Sequence, residues 1–126
     1  MWNVLFEKAK SVLNPRSISD SVEVGIVACA ILSKDGNVYV GVSIDMACSI
    51  GMCAERNAIS SMITMGESKI NKLVCIGING DIMLPCGVCR EFIMQIDRQN
   101  VDTEILTDLA TSNIIKLGEL LPNYWK

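Results

Sequence analysis

Two short stretches dominate this chain, Cys-Ala-Glu-Arg at residues 53–56 and Pro-Cys-Gly-Val-Cys at residues 85–89. Each is followed by an apolar pattern of helical spacing, so each is predicted to open a helix. Cys86 and Cys89 are three positions apart, which places both sulfur atoms on one face of a first helical turn. A helix N-terminus carries partial positive charge and favours thiolate over thiol. The two stretches together predict three thiolates around one cation.

The segments around these stretches alternate between strand and helix patterns. Helical spacing is found over residues 2–13, 53–65 and 86–98, with a short helix at 117–121. Strand patterns cover residues 24–32, 38–44, 72–79 and 103–107, with a further short strand at 114–115. Residues 34–37 are predicted to form a hairpin turn and residues 17–21 a loop. A hairpin followed by strands joined through helices predicts one domain over residues 1–126, with a mixed sheet covered by helices on both faces.

Composition narrows the class of protein. The chain has 126 residues, half of them hydrophobic, and a net charge of −3. No basic run is present, so we expect no binding to long nucleic acid, and a small uncharged or cationic substrate fits better. No apolar run approaches the roughly 20 residues that span a membrane. The first residues lack the layout of a signal peptide, which favours the cytoplasm.

The chain has six cysteines and no histidine. The absence of histidine excludes histidine-based catalysis and histidine metal ligands, so a zinc ion must be held by thiolates or carboxylates. Cys29 and Cys75 lie in apolar strand patterns and are predicted to be core residues. A closed structural zinc site is an alternative, with Cys48 as the fourth thiolate beside the three cysteines of the two stretches. A redox-active pair, Cys86 and Cys89, is another alternative.

Glu55 and Arg56 favour a catalytic centre over a structural one. Three protein ligands leave a zinc ion one open position, and such an ion lowers the pKa of a bound water toward neutrality. Glu55 follows Cys53 by two positions and can approach the open side, where it would move the proton from water to substrate. Arg56 follows Cys53 by three positions on the same helix face. Its guanidinium can donate hydrogen bonds to the sulfurs and offset their charge.

The pattern Cys-Ala-Glu followed by Pro-Cys-x-x-Cys resembles the zinc-dependent cytidine deaminases, in particular the small homotetrameric type. The hairpin over residues 34–42 and the segment 117–122 are also similar to that family. The resemblance implies a five-stranded mixed sheet in a three-layer α/β/α sandwich. It also implies a Zn²⁺-dependent enzyme that hydrolyses the amino group of a cytosine nucleoside, such as cytidine or deoxycytidine, and that forms a homotetramer.

The resemblance assigns roles residue by residue. Cys53, Cys86 and Cys89 would be the zinc ligands, Glu55 the proton carrier and Arg56 the group that balances the thiolate charge. Ribose, pyrimidine and lid contacts would come from the side chains of Ser43, Asp45 and Trp125, from the backbone around Ala54 and from the carbonyl near residues 84–85.

The substrate is left open by three departures from the family pattern. Ser43 and Asp45 are shorter than the family's ribose-holding residues, and no aromatic residue precedes the first strand. Trp125, reaching across a subunit interface, is a candidate for the missing aromatic. The segment between Asp45 and Cys53 is about one residue short, which is similar to blasticidin S deaminase. A nucleoside antibiotic is therefore an alternative substrate, and a non-catalytic binding module with structural zinc is the alternative of another class.

Overall fold

The computed structural model describes residues 1–126 as three α-helices, two 3₁₀ helices and seven strands. The α-helices are α1 (Trp2–Val12), α2 (Ala54–Thr64) and α3 (Gly87–Ile96). The strands are β1 (Arg16–Ser19), β2 (Val22–Ser33), β3 (Val38–Asp45), β4 (Ile70–Gly77), β5 (Ile82–Met83), β6 (Glu104–Asp108) and β7 (Asn113–Lys116). The 3₁₀ helices cover Arg98–Asp102 and Leu117–Leu120.

The strands form one mixed sheet, as predicted. Its five main strands lie in the order β3-β2-β4-β6-β7, and every pair is antiparallel except β4 with β6. The sheet has seven strands rather than five, because the short β1 pairs with β2 and the short β5 pairs with β4. The predicted loop at residues 17–21 was wrong in part. All four residues of β1 are exposed, so no apolar alternation marked this strand in the sequence.

The helices cover both faces of the sheet, which confirms the three-layer sandwich. On one face, Leu5 and Ala9 of α1 pack in a buried cluster with residues of β2, β4 and β6. On the other face, α2 and α3 pack in a larger cluster through Ala58, Ile59 and Ile93. The central strands β2 and β4 therefore carry buried side chains on both faces, as their apolar runs predicted.

Two backbone features set the position of α2 against the sheet. Gly41 of β3 lies so close to α2 that an added Cβ would stand 2.4 Å from the Ala58 backbone nitrogen. Opposite this part of β3, the pairing of β2 is interrupted by a bulge between Val24 and Ala28. Gly25 at the start of the bulge has a φ of +80°, a conformation that glycine adopts readily. The first turn of α2 thereby lies beside the bulged part of β2.

The C-terminal third contains the predicted elements in the predicted order, but 3₁₀ helix takes the place of some of the predicted helix. The predicted helix over residues 86–98 ends as α3 at Ile96 and is followed by a 3₁₀ helix, and the predicted helix at 117–121 is also a 3₁₀ turn. None of the helices combines the length and the apolar character that crossing a bilayer requires.

Candidate active site

The first turns of α2 and α3 bring three thiols together. Cys53 is the N-cap residue of α2, Cys86 is the N-cap residue of α3, and Cys89 lies in the first turn of α3. Both stretches therefore open helices as predicted. The three sulfur atoms all lie within 4.8 Å of one another, although Cys53 is 33 positions from Cys86 in the sequence.

The spacing of the sulfur atoms fits a zinc ion. The Sγ of Cys86 lies 3.7 Å from that of Cys53 and 3.6 Å from that of Cys89. Sulfur atoms at tetrahedral positions about 2.3 Å from a zinc ion lie about 3.8 Å apart. The donor set is therefore already arranged for one ion with three thiolate ligands.

The pKa shifts of the clustered thiols also indicate that a cation belongs among them. Burial, together with the negative charge of Glu55, raises the pKa of the Cys89 thiol far above its usual range. Burial acts in the same direction on Cys86, but hydrogen bonds from the Cys89 backbone and from the neighbouring thiols outweigh it and lower the pKa of Cys86. Three clustered thiols cannot all ionise at neutral pH unless a positive ion joins them.

Cys48 does not join this cluster. It is exposed, lies in the segment between β3 and α2, and is absent from the group of thiols that could share an ion. Its φ of 63° places it in the left-handed region, which is uncommon for a residue with a side chain. The closed four-cysteine site considered from the sequence therefore lacks its fourth ligand.

Arg56 points at the thiols from the third position of α2. Its Nη2 donates a hydrogen bond to the Sγ of Cys53 at 3.8 Å, and this contact is the main cause of a raised pKa of the guanidinium. Its Nε is buried and has no hydrogen-bond partner in the chain. A guanidinium held beside thiolates stabilises their negative charge, which is the arrangement predicted for a three-thiolate centre.

Glu55 faces a cavity that opens beside the thiols. The cavity has a volume of about 560 Å³, and Cys53, Cys86 and Glu55 all contribute to its lining. Glu55 is only 5% exposed, and its carboxylate makes no hydrogen bond with another residue of the chain. A largely buried glutamate that borders a cavity is placed to accept a proton there and to release it again.

Three of the predicted substrate-contact residues line this cavity, namely Ser43, Asp45 and Ala54. The hydroxyl of Ser43 accepts a hydrogen bond from the Val27 backbone N–H at 3.0 Å, so it also closes the bulge of β2. Asp45 is exposed at the end of β3, and Ala54 begins α2. These positions are compatible with the predicted contacts, which stay predictions.

Trp125 lies outside the cavity lining of its own chain. Its indole N–H donates a hydrogen bond to Glu91 of α3 at 2.9 Å, and the residue is 69% exposed. A contact of Trp125 with the cavity of the same chain is therefore not present. Its predicted role across a subunit interface stays a prediction.

The lining also includes residues outside the predicted set of substrate contacts. Met46, Met52 and Met83 border the cavity, and so does Cys75, which is 1% exposed and was predicted to be a core residue. Ile26, in the bulge of β2, was not predicted at all. Gly25 before it was the one available signal, because an isolated glycine in a strand pattern indicates a bulge.

Comparison with known proteins places this geometry in a family. A family model described as the cytidine and deoxycytidylate deaminase zinc-binding region matches residues 5–104. A cytidine deaminase from Mycoplasma genitalium is 30% identical over 102 residues, which cover 79% of this chain and 78% of the relative. A cytidine deaminase from Mycobacterium tuberculosis is 28% identical over 98 residues, which cover 77% of this chain and 70% of the relative.

Solved structures give the same result for the fold. The crystal structure of cytidine deaminase from Mycobacterium tuberculosis aligns with a TM-score of 0.80 at 24% identity, covering 99% of this chain and 97% of that one. The cytidine deaminase from Mycobacterium leprae aligns with a TM-score of 0.78 at 25% identity, covering 97% and 98%. Since the family model spans most of the chain and all three clustered cysteines, the chain belongs to the cytidine and deoxycytidylate deaminase family.

Proposed function

We propose that this chain is a zinc-dependent hydrolase that deaminates a free cytosine nucleoside, giving the uracil nucleoside and ammonia. The observation that carries the proposal is the position of Glu55. Glu55, a residue only 5% exposed, lines a cavity together with Cys53 and Cys86. A structural zinc site needs neither such a carboxylate nor an open cavity beside the ligands. The names of the relatives, all of them cytidine deaminases, support the same reaction.

The three thiolates would hold the zinc ion, which supplies an activated water molecule for attack on C4 of the cytosine ring. Glu55 can accept one proton of that water and donate it to N3 of the ring. A second transfer through the same carboxylate moves the remaining proton to the exocyclic amine. The C–N bond then breaks, ammonia leaves, and C4 keeps the oxygen. Arg56, bonded to Cys53, would keep the thiolate charge from weakening the zinc ion as a Lewis acid.

The size and lining of the cavity suit a nucleoside. Its volume of about 560 Å³ lies in the range of pockets that enclose small ligands, and most of its lining is apolar. Ser43 and Asp45 would face the sugar and the backbone at Ala54 would face the ring. With Ser43 already bonded to Val27, we expect Asp45 to make the stronger contact with the sugar.

A screen of substrates tests this proposal. Zinc-loaded protein is incubated with cytidine, deoxycytidine, deoxycytidylate and blasticidin S, and ultraviolet absorbance reports the conversion of cytosine to uracil. We expect turnover of a free cytosine nucleoside and little turnover of the 5′-phosphate, since no basic side chain other than Arg56 lines the cavity. Turnover of blasticidin S alone would assign the antibiotic as substrate. No turnover of any of these compounds would contradict the proposal.

The assembly and location are part of the same proposal. The chain would act as a homotetramer in the cytoplasm, with Trp125 of one copy beside the cavity of another. The 69% exposure of Trp125 in the isolated chain supports a covering partner. Light scattering of the zinc-loaded protein should give four times the chain mass, and a monomer of full activity would contradict this assembly.

A further inference from the structure

The segment that joins β5 to α3 both borders the cavity and carries a thiol of the metal cluster. Leu84 and Cys86 line the cavity, and Pro85 between them is buried. None of the three belongs to a strand or a helix. Because proline has no backbone N–H, Pro85 can be held by hydrogen bonding only through its carbonyl oxygen.

Arg90 of α3 supplies that hydrogen bond. Its Nε donates to the carbonyl oxygen of Pro85 at 2.7 Å, and its backbone N–H donates to the carbonyl oxygen of Cys86 at 2.9 Å. One residue therefore satisfies the two successive carbonyl groups at the start of the thiol-bearing turn. A charged donor makes a stronger hydrogen bond than a neutral one, and a buried carbonyl that loses its partner is costly.

The same guanidinium reaches the C-terminal segment. Nη1 of Arg90 lies 3.4 Å from the carbonyl oxygen of Leu120, at the end of the last 3₁₀ helix. The next residue of α3, Glu91, accepts hydrogen bonds from the side chains of Tyr124 and Trp125. The C-terminal segment is thus attached to α3 beside the turn that carries the thiols.

We propose that Arg90 is a positioning residue for the reaction. By fixing the carbonyl of Pro85, it sets both the cavity wall at Leu84 and the direction of the Cys86 thiol. Unlike Arg56, it neither lines the cavity nor bonds to a thiol, so it acts only through this segment. The effect on substrate rests on the proposed function, whereas the effect on the metal rests on the thiol cluster alone.

Three variants separate this role from general stability. Arg90→Met removes both donors and keeps an unbranched apolar stem. Arg90→Lys keeps one charged donor that can reach Pro85. Arg98→Met is the matched control, because the Arg98 guanidinium lies 5.6 Å from the ring centre of Tyr124 and so contacts the C-terminal segment without contacting Pro85. Circular dichroism and thermal melting give the folded fraction of each zinc-loaded variant.

For folded Arg90→Met, we expect KM for the nucleoside to rise about tenfold with kcat changed less than about threefold, and zinc release to a chelator to accelerate about tenfold. Arg90→Lys should recover part of both effects but still release zinc faster than the parent chain. Arg98→Met should match the parent chain in both readouts. A role in stability alone would lower the melting temperature and leave KM of the folded fraction unchanged.

Zinc release at the parent rate from folded Arg90→Met would overturn the proposal, and so would an equal acceleration in Arg98→Met. If Arg90→Met does not fold, Arg90→Lys decides: zinc release at the parent rate overturns the proposal, and faster release supports it. Zinc release needs no turnover. An inactive parent chain would therefore refute the proposed function while the role of Arg90 at the metal segment is still decided.

Discussion

At the scale of single residues, the site depends on how charge is arranged around three thiols. Cys53 and Cys86 lie at helix N-termini, and Arg56 adds a full positive charge beside Cys53. Burial, and after it the negative charge that Glu55 adds on the cavity side, raises the pKa of Cys89. The negative charge of Glu55 thus disfavours ionisation of the thiols, and a zinc ion would offset that repulsion. We therefore expect the charge balance to affect the rate as well as metal binding.

Arg56→Gln tests the charge balance. We expect the variant to retain one zinc ion per chain, because all three thiols remain, and to lose about tenfold to a hundredfold in kcat. Steady-state kinetics and metal analysis measure the two quantities. Arg16→Gln serves as control, since Arg16 is exposed and bonds only to the Asn14 carbonyl oxygen. An Arg56→Gln variant of undiminished kcat would show that the guanidinium has no electronic role.

The residues of the metal cluster were predictable from sequence because helix geometry fixes their relation. Cys86 and Cys89 share a turn, and the helix starts at residues 53 and 86 followed from local patterns. Arg90 was not predictable in the same way. Its hydrogen bond to Pro85 is local, since the two residues are five positions apart. Its hydrogen bond to Leu120 depends on how the last 3₁₀ helix packs against α3, and no local sequence pattern specifies that packing.

At the scale of elements, the contact between β3 and α2 determines where Cys53 and Glu55 lie. Gly41 allows the two backbones to meet, and Asn57 of α2 donates a hydrogen bond to the Val42 carbonyl oxygen at 3.0 Å. Sequence patterns predicted the existence of these elements to within a few residues, since each has a clear apolar periodicity. They did not predict β1, because an exposed edge strand has no buried face to leave a pattern.

Gly41→Ala tests the β3–α2 contact. The added Cβ would stand 2.4 Å from the Ala58 backbone nitrogen and 2.8 Å from the Ala54 carbonyl oxygen, so α2 must shift. We expect the free energy of unfolding to fall by about 1–3 kcal/mol, and kcat/KM to fall because Glu55 moves with α2. Gly87→Ala is the comparison for stability, because an added Cβ there meets nothing within 4 Å and Gly87 does not adopt a positive φ. Unchanged stability and activity of Gly41→Ala would contradict this packing.

The hairpin of β2 and β3 is also joined to the segment before β4 through Glu67, and this link should respond to acid. Hydrogen bonds from Ser33, Tyr39 and Asn37 lower the pKa of Glu67. A carboxyl whose pKa is lower in the folded than in the unfolded state stabilises the fold above its unfolded pKa, and that contribution is lost as pH falls through the folded pKa.

Glu67→Gln should therefore be less stable than the parent chain at pH 7 and should lose less stability as the pH falls below about 4.5. Urea unfolding at several pH values measures both. Glu7→Gln in α1 is a suitable control, since Glu7 is exposed and takes part in no side-chain hydrogen bond within the chain. Parallel stability–pH curves for Glu67→Gln and the parent chain would refute the role of this carboxylate.

At the scale of the whole molecule, the metal cluster lies where the layer formed by α2 and α3 meets the sheet. Cys89 lies in α3 and Cys53 is the N-cap residue of α2. Cys75 of the central strand β4 contributes to the lining of the adjacent cavity. An ion bound there would tie both helices of one layer to each other beside the central strand. The mixed sheet followed from the hairpin and the strands joined through helices, but the shape of the cavity depends on the bulge of β2, which alternation alone does not reveal.

Removal of zinc should therefore lower the stability of the entire chain. At a thousandfold excess of zinc over its dissociation constant the ion contributes about 4 kcal/mol, which corresponds to about 15 °C in melting temperature. Zinc affinity should fall as pH falls, because the thiols, Cys89 above all, must release protons to bind. Calorimetry with and without a chelator measures both effects. Cys48→Ser should behave as the parent chain, and a loss of zinc in that variant would contradict a three-thiolate centre.

The most direct test of a catalytic, open zinc centre is Glu55→Gln, which keeps the shape of the side chain and removes its ability to carry a proton. Metal analysis and ultraviolet assay of cytidine and deoxycytidine are made on the same preparation. We expect one zinc ion per chain and a kcat lowered by at least about a thousandfold. Zinc-loaded Glu55→Gln that deaminates at the parent rate would contradict the account, because Glu55 would then not be the group that moves the proton.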